Sequence, residues 1–249
     1  MAKGKHSRAY VIGGIIFLLI LTFIVVKGDM FINYTMSRKD ALPVRAVKID
    51  GAFKQLTKKR IADITGRLCA GQNIATLDLN VLKQALLQEP WVAQVAIKKK
   101  MPDTLLLSVI EHVPAAYWND NGLYDAKTKS IFYPDLTMFN QPLVKLGAFR
   151  DNLCTEVYDS AVLFIRAMNN SPYQMIALYL DNVRCYTITL DNGTLLILGR
   201  GQQKALTRLN RFIQSFGHLG LSLNDVAYVD LRYDVGFAVG KKQAQITSK

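Results

Sequence analysis

The chain has 249 residues, 50% of them hydrophobic, and a formal net charge of +12. This length accommodates a membrane anchor and two modest domains of roughly 100 to 150 residues each. The positive balance would suit nucleic acid, but the topology predicted from the N-terminus separates most of the chain from it. The partner classes left are anionic lipid headgroups, cell-wall polymers and acidic proteins.

An uncharged stretch from Ala9 to Val26 predicts a single N-terminal transmembrane helix, assigned to residues 9–27. At about 1.5 Å per residue it spans roughly 27 Å, close to the hydrocarbon core of a bilayer. The stretch is preceded, in a tail of residues 1–8, by Lys3, Lys5 and Arg8. The positive-inside rule therefore predicts a cytoplasmic N-terminus, with everything after Lys27 on the outer side of the membrane. A cleaved signal peptide is disfavoured, because no small-x-small cleavage site follows the stretch.

Residues 42–112 are predicted to form a small α/β domain, after an aperiodic juxtamembrane connector at residues 28–41. The alternating residues 44–50 predict a strand. Two helices follow, N-capped by Thr57 and Asn80. The first presents an apolar face of Ile61, Ile64 and Leu68. The second runs through Val81, Leu82, Ala85 and Leu86 to Glu89 and ends before Pro90.

Two β runs complete this domain at residues 91–98 and 104–112, with Met101-Pro102-Asp103 as the turn between them. The resulting order is β-α-α-β-β. That order resembles a POTRA domain, which implies two helices packed on a three-stranded sheet. The resemblance also implies binding of other polypeptides, often through sheet edges.

Residues 113–240 are predicted to form a mostly antiparallel β domain with two helices. The dipeptides Asn121-Gly122 and Asn192-Gly193 predict hairpins with type I′ turns. The helices are assigned to residues 151–169 and 202–216 from their apolar faces. These faces consist of Val157, Ala161, Phe164 and Met168 in the first helix, and Leu206, Leu209, Ile213 and Phe216 in the second.

The end of this domain is predicted to be a strand at residues 226–233, a turn at Asp234-Val235-Gly236 and a final strand at residues 237–240. A polar tail at residues 241–249 closes the chain. A final strand is expected at a sheet edge, where unpaired N–H and C=O groups can template another chain's strand. An ordinary edge guarded by Lys241-Lys242 is the alternative.

Catalytic and cofactor motifs are absent from the sequence, which predicts a protein that is not an enzyme and needs no cofactor or metal. The external histidines, His112 and His218, stand without catalytic partners, so surface or core roles are expected. Three distant cysteines are expected to be buried packing residues, with a Cys154–Cys185 bridge left open. Paired carboxylates for glycan hydrolysis, which meet only in space, leave an anchored cell-wall enzyme as an alternative.

Lys204, Arg208 and Arg211 recur at helical spacing and predict one positive helix face. Such a run is usually a solvated face, although it would also suit acidic residues of a partner.

Several motifs together resemble the FtsQ (DivIB) family of bacterial division proteins. The first group is Pro90-Trp91-Val92, Pro102-Asp103-Thr104-Leu105, Glu111, Pro114, Ala116 and Trp118. The second group is Leu198-Gly199-Arg200, Arg208-Leu209, Arg211-Phe212, Val229-Asp230-Leu231-Arg232-Tyr233, Gly236 and Ala238-Val239. The family plan is a cytoplasmic tail, a membrane helix, a POTRA domain and a β domain.

The resemblance implies an essential divisome scaffold at the septum that binds FtsB- and FtsL-like partners through its β domain and upstream division proteins through its POTRA domain. No nucleic acid is expected among its partners. The implied partner-binding residues are Arg184, Arg208, Arg232, Tyr233, Val235, Phe237, Ala238, Val239 and Lys241. A POTRA-type assembly chaperone is the alternative among binding proteins.

Overall fold

The computed structural model describes residues 14–24, 27 and 41–242. Residues 14–24 are helical and their side chains are exposed. Within the described ranges, no helix is both long and apolar enough to cross a membrane. Residues 9–13, 25 and 26 of the predicted span, and all of the connector except residue 41, lie outside these ranges, so both stay predictions. The chain divides into two units, Met1–Glu111 and His112–Lys249.

The first unit has the predicted β-α-α-β-β order. Its elements are β1 (Ala46–Asp50), α1 (Lys58–Cys69), α2 (Leu79–Leu87), β2 (Val92–Lys100) and β3 (Thr104–Glu111). The sheet order is β1-β3-β2, with β1 parallel and β2 antiparallel to β3. Strand β3 is therefore central, and both β1 and β2 are edge strands.

Two details of the helices in the first unit differ from the prediction. Thr57 caps α1 as expected, accepting the Arg60 N–H at 3.2 Å. Leu68, however, is exposed, and Cys69 is buried in its place, because the buried face also includes positions four and eight residues after Ile61. The predicted Asn80 cap is wrong. Asp78 caps α2 instead by accepting the Asn80 N–H at 2.8 Å.

The loop between β1 and α1 is fixed by a carboxylate at the end of β3. Glu111 accepts the backbone N–H groups of Lys54, Gln55 and Leu56 at 2.6 to 2.9 Å. These amides would otherwise be left without partners near the start of a helix, so the buried carboxylate satisfies them and anchors the loop to the sheet.

The second unit is a nine-stranded sheet with two helices. Its strands are β4 (Pro114–Trp118), β5 (Gly122–Asp125), β6 (Ser130–Phe132), β7 (Lys145–Ala148), β8 (Met175–Leu180), β9 (Cys185–Leu190), β10 (Leu195–Arg200), β11 (Val226–Asp230) and β12 (Ala238–Lys241). Its helices are α3 (Cys154–Met168) and α4 (Gln202–Ser215). The sheet order is β12-β11-β10-β9-β8-β7-β4-β5-β6, and most of its pairings are antiparallel.

Helices α3 and α4 contact each other and share one core with the sheet. All four predicted core residues of α3, from Val157 to Met168, are buried. In α4 the prediction is partly wrong, since Leu206 and Ile213 are only half-buried while Ala205 and Phe212 are buried. The burial of α4 is therefore centred one position away from the predicted face.

Both predicted hairpins form, but neither has the predicted type I′ turn. Such a turn requires a positive φ at both central residues. Before β10 only Gly193 has one, at +84°, while Asn192 does not. Between β4 and β5, Gly122 already belongs to β5, and the positive φ of +46° is at Asn119.

Candidate partner-binding site

Strand β12 is an edge strand, as predicted, and β11 is its one partner strand within the described part of the chain. Its register places Gly240 opposite Tyr228, Val239 opposite Val229 and Ala238 opposite Asp230. The second long side of β12 has no neighbouring strand among the described residues. Such an unpaired side is a template for a strand from another polypeptide.

The hydrogen bond that follows β12 tells which of its backbone groups face outward. The Lys242 N–H donates to the Asp225 carbonyl at 2.9 Å, on the β11 side. Because backbone groups along a strand alternate in direction, those of Gly240 and Ala238 also face β11. The backbone groups of Val239 and Lys241 consequently point outward. The β-bulge in β11 between Val226 and Tyr228 leaves this alternation along β12 intact.

Side chains fix the position of β12 on the sheet. The Phe237 ring lies 6.3 and 6.2 Å from the rings of Phe212 and Phe216, measured between centroids. Val239 packs against the same core. On the opposite face the Tyr228 ring covers Gly240 so closely that any Cβ there would collide with it. The strand is therefore held in place before any partner binds.

Two predicted partner-binding residues occupy the exposed loop between β11 and β12. The exposed fraction is 56% for Tyr233 and 94% for Val235. Both side chains are therefore open to solvent beside the unpaired edge of β12.

Arg232 begins this loop and is held by Asp230. Its Nε and Nη2 atoms donate to the Asp230 carboxylate at 2.9 and 2.7 Å, and its backbone N–H donates to the same group at 3.0 Å. The Arg232 guanidinium lowers the pKa of the Asp230 carboxyl, and the pKa of Arg232 is raised in turn. The Nε and Nη2 edge of the Arg232 guanidinium is therefore occupied within the chain. These contacts also end β11 at Asp230, earlier than the predicted residue 233.

Arg211 holds the same loop from α4. Its Nη1 donates to the Asp234 carbonyl at 2.5 Å, and its Nη2 donates to the carbonyls of Tyr233 at 2.8 Å and Leu231 at 3.2 Å. One arginine thus binds three carbonyls within four residues of the loop. Its Nε is buried without a hydrogen-bond partner among the described residues.

Arg208 is also engaged within the chain. It donates to the Leu198 carbonyl at 2.8 Å and to the Arg232 carbonyl at 3.1 Å. Gly199, with a φ of +81°, leaves room for this contact, since a Cβ would lie 2.7 Å from Arg208 Nη1. The predicted solvated face of Lys204, Arg208 and Arg211 is therefore wrong for its two arginines, and only Lys204 is exposed.

Arg184 lies away from this group, in the turn between β8 and β9. Its Nη2 contacts both oxygens of Glu156 at 2.6 and 2.8 Å, and Glu156 also accepts the Tyr186 hydroxyl at 2.9 Å. Three strand spacings separate β9 from β12, roughly 14 Å across the sheet. The other predicted residues, from Arg208 to Lys241, are brought together around β12.

A groove of about 490 Å³ borders β12 and was missed by sequence reasoning. It is lined by Leu221, Ser222, Asn224, Asp225, Val226, Val239, Lys241 and Lys242. Asp230 and Tyr228 were missed as well. The proximity of Asp230 to Arg232 along the chain was the one available signal for that pair.

The histidine and cysteine residues considered as candidate functional groups are packed within the fold. His112 stacks on Phe132 with ring centroids 4.3 Å apart, and its Nδ1 lies 2.8 Å from Asp125 Oδ2. All three cysteines are buried and free, so the Cys154–Cys185 bridge is not formed. Within the described ranges, no group of three His, Cys, Asp or Glu residues is arranged to hold a metal ion.

Comparison with known proteins matches both units to family models. Residues 42–112 match the POTRA domain, FtsQ-type, and residues 116–232 match the cell division protein FtsQ/DivIB C-terminal domain. The cell division protein FtsQ of Aliivibrio fischeri is 31% identical over 220 residues, covering 86% of this chain and 82% of the relative. The chain belongs to the FtsQ family.

Two further FtsQ relatives cover nearly the whole chain. Those of Vibrio cholerae and Escherichia coli are 29% and 28% identical, each covering 96% of this chain, with 90% and 87% of the relative covered. As an FtsQ-family member the protein is a cell-division scaffold, which confirms the predicted scaffold role. The prediction that it is not an enzyme is confirmed by the same relationship. The C-terminal family match ends at residue 232, at the start of the loop that leads to β12.

Proposed function

We propose that this FtsQ-family scaffold recruits an FtsB- or FtsL-like partner by accepting a strand from it along β12. The observation that carries the proposal is the outward-facing backbone of Val239 and Lys241 on a strand already fixed to the sheet. Backbone pairing supplies affinity in such a complex, and side chains beside the strand supply register.

The loop residues define the chemistry of the partner strand. Exposed Tyr233 and Val235 suit an apolar side chain, and Tyr is a residue type that often dominates interface energies. Lys241 and the Nη1 group of Arg232 suit an acidic residue. Phe237, Ala238 and Val239 contribute to partner binding indirectly, because they fix the position of β12 on the sheet.

Arg184 and Arg208 enter the proposal in different ways. Arg184 is exposed and forms a second contact only for a partner that continues across the sheet from β12 to the β8–β9 turn. Arg208 supports the loop through the Arg232 carbonyl, so it acts on the partner mainly by positioning Arg232.

Residues 42–112 are proposed to bind upstream division proteins and residues 113–240 the downstream partner. In the first unit the exposed side chains along β2, and not its backbone edge, offer a surface for such contacts. The protein is proposed to cross the inner membrane once, with residues 1–8 in the cytoplasm and both units in the periplasm at the septum. This topology rests on the flanking charges of residues 9–27.

Titration of a peptide from the FtsB-like partner against the full-length protein in detergent micelles tests the proposed site. Lys241→Pro removes an outward N–H donor, so it should weaken binding strongly, whereas Lys241→Ala keeps that donor and should weaken it only modestly. Tyr233→Ala should weaken binding by at least about 2 kcal/mol if this side chain is a hot spot. Equal affinities of the wild type and Lys241→Pro, with circular dichroism showing both folded, would place the partner elsewhere.

A further inference from the structure

The hairpin tip between β2 and β3 exposes two neighbouring apolar side chains. Met101 is 52% exposed and Pro102 is exposed beside it. Asp103, the acidic residue of the tip, is half-buried and accepts the Thr104 hydroxyl at 2.9 Å. The most prominent part of the tip is therefore apolar.

Lysines surround this tip on the sheet face that the helices leave open. Register places Lys48 and Lys98 on either side of Leu106, and Lys100 beside Thr104. All three lysines are exposed, and none forms an ion pair within the described part of the chain. Lys99 points to the other side, where it donates to the Ala75 carbonyl at 2.9 Å. One carboxylate, that of Asp50, shares the open face, two positions beyond Lys48.

The chain also enters the first unit beside this tip. The backbone N–H groups of Arg45 and Ala46 both donate to the Asp103 carbonyl, at 2.9 and 3.3 Å. Strand β1 thus begins at the tip, shortly after the connector that leads from the predicted membrane span. About 14 connector residues reach at most roughly 50 Å, so the tip lies within reach of the bilayer surface.

We propose that Met101 and Pro102 insert into the interfacial region of the membrane while Lys48, Lys98 and Lys100 bind acidic phospholipid headgroups. The inference rests on the membrane anchor in the proposed function. Apolar residues bordered by lysines suit this interface, because the apolar part enters the headgroup boundary and the ammonium groups stay at the anionic surface. Such a contact would orient the POTRA unit against the membrane and leave the opposite end of its sheet free.

Depth-dependent fluorescence quenching in nanodiscs tests this orientation with the full chain. A fluorophore is attached to Met101→Cys or to Ile110→Cys, which is exposed on the same face about 20 Å further along β3. The three native cysteines are buried. In phosphatidylethanolamine–phosphatidylglycerol discs with spin-labelled lipid, the label at 101 should be quenched several-fold more than the label at 110. In phosphatidylcholine discs this difference should disappear.

A double charge-reversal variant tests whether the lysines bind the acidic headgroups. Lys98→Glu with Lys100→Glu should lower the ratio of inserted to free tip by at least roughly fivefold for each lysine replaced. The matched control is Lys58→Glu with Lys59→Glu, which makes the same charge change at the exposed start of α1, at the other end of the unit, and should leave quenching unchanged.

The possible failures are separable. A protein that does not incorporate into the discs contradicts the proposed anchor itself. An incorporated protein with equal quenching at positions 101 and 110, or with a difference that persists in phosphatidylcholine, overturns the lipid-binding inference alone. Equal quenching at positions 101 and 110 is also expected if the lysines bind an acidic protein instead of lipid, because the discs contain no such protein.

Discussion

Strand β2 is an edge strand of the first unit, and strand β12 is an edge strand of the second. They differ in length, in charge and in how firmly the chain holds them. Strand β2 has nine residues and carries Lys98 and Lys100 on its open face, and lysines on an edge strand discourage pairing. Strand β12 has four residues, two of them Ala238 and Gly240, and is stabilised by arginines from α4 through the preceding loop. Lysine charges thus oppose pairing at the β2 edge, whereas arginine contacts hold the β12 edge in a fixed position for pairing.

The largest effect is expected from Arg211→Ala, which removes the contacts that fix the β12 edge. Three loop carbonyls lose their donor. A hydrogen bond to a charged group contributes about 1.5 to 3 kcal/mol net of the bonds to water that it replaces, and water reaches the freed carbonyls in the variant, so the total loss stays below the simple sum. We expect the second unit to lose about 3 kcal/mol of its free energy of unfolding. Urea unfolding followed by Trp118 fluorescence in a Trp91→Phe background measures this unit alone.

Lys204→Ala is the matched control on the same helix, because Lys204 is exposed and should cost less than about 0.5 kcal/mol. Similar losses in the two variants would contradict the supporting role of Arg211.

The next largest effect is expected from proline substitutions in β12, which distinguish the backbone groups that face β11 from those that face outward. Ala238→Pro should destabilise the second unit by about 2 kcal/mol, because its N–H faces β11 and the ladder bond is lost. Lys241→Pro, with an outward N–H, should cost less than about 1 kcal/mol in stability. Hydrogen exchange at residues 226–241, compared between the two variants, shows which one opens the ladder. Equal protection in both would mean that the assigned directions of the backbone groups are wrong.

Features that depend on neighbouring residues in the sequence were predicted well, whereas contacts between residues far apart in the sequence were not. The buried face of α3 was predicted correctly, since Val157 and Phe164 lie on one side of any helix with 3.6 residues per turn. The edge position of β12 was also predicted, from its place at the end of the chain. Arg208 and Arg211 were misjudged because spacing shows that they share a face but cannot show that a loop more than twenty residues later lies over it.

A smaller effect is expected from acid, through the carboxylate that holds Arg232. The pKa of Asp230 is lowered in the folded protein, so its contribution to stability is complete above the unfolded value of about 3.9. That contribution is lost as the pH falls through the lower folded value. Asp230→Asn should therefore be less stable than the wild type at pH 7, and this difference should shrink as the pH falls below about 3.9. A difference that stays constant as the pH falls further would show that the carboxylate charge is not involved.

The smallest effect on stability is expected at the β2 edge, where charge and not packing is changed. Replacing Lys98 and Lys100 by threonine keeps strand propensity and should alter the free energy of unfolding by less than about 0.5 kcal/mol. The same change removes two charges that oppose edge-to-edge pairing, so self-association should increase. Sedimentation velocity of the full chain in detergent, compared with a Lys58→Thr and Lys59→Thr control, measures it. If both variants stay as dispersed as the wild type, β2 is not protected by its lysines, and their placement around the hairpin tip needs the membrane contact as its explanation.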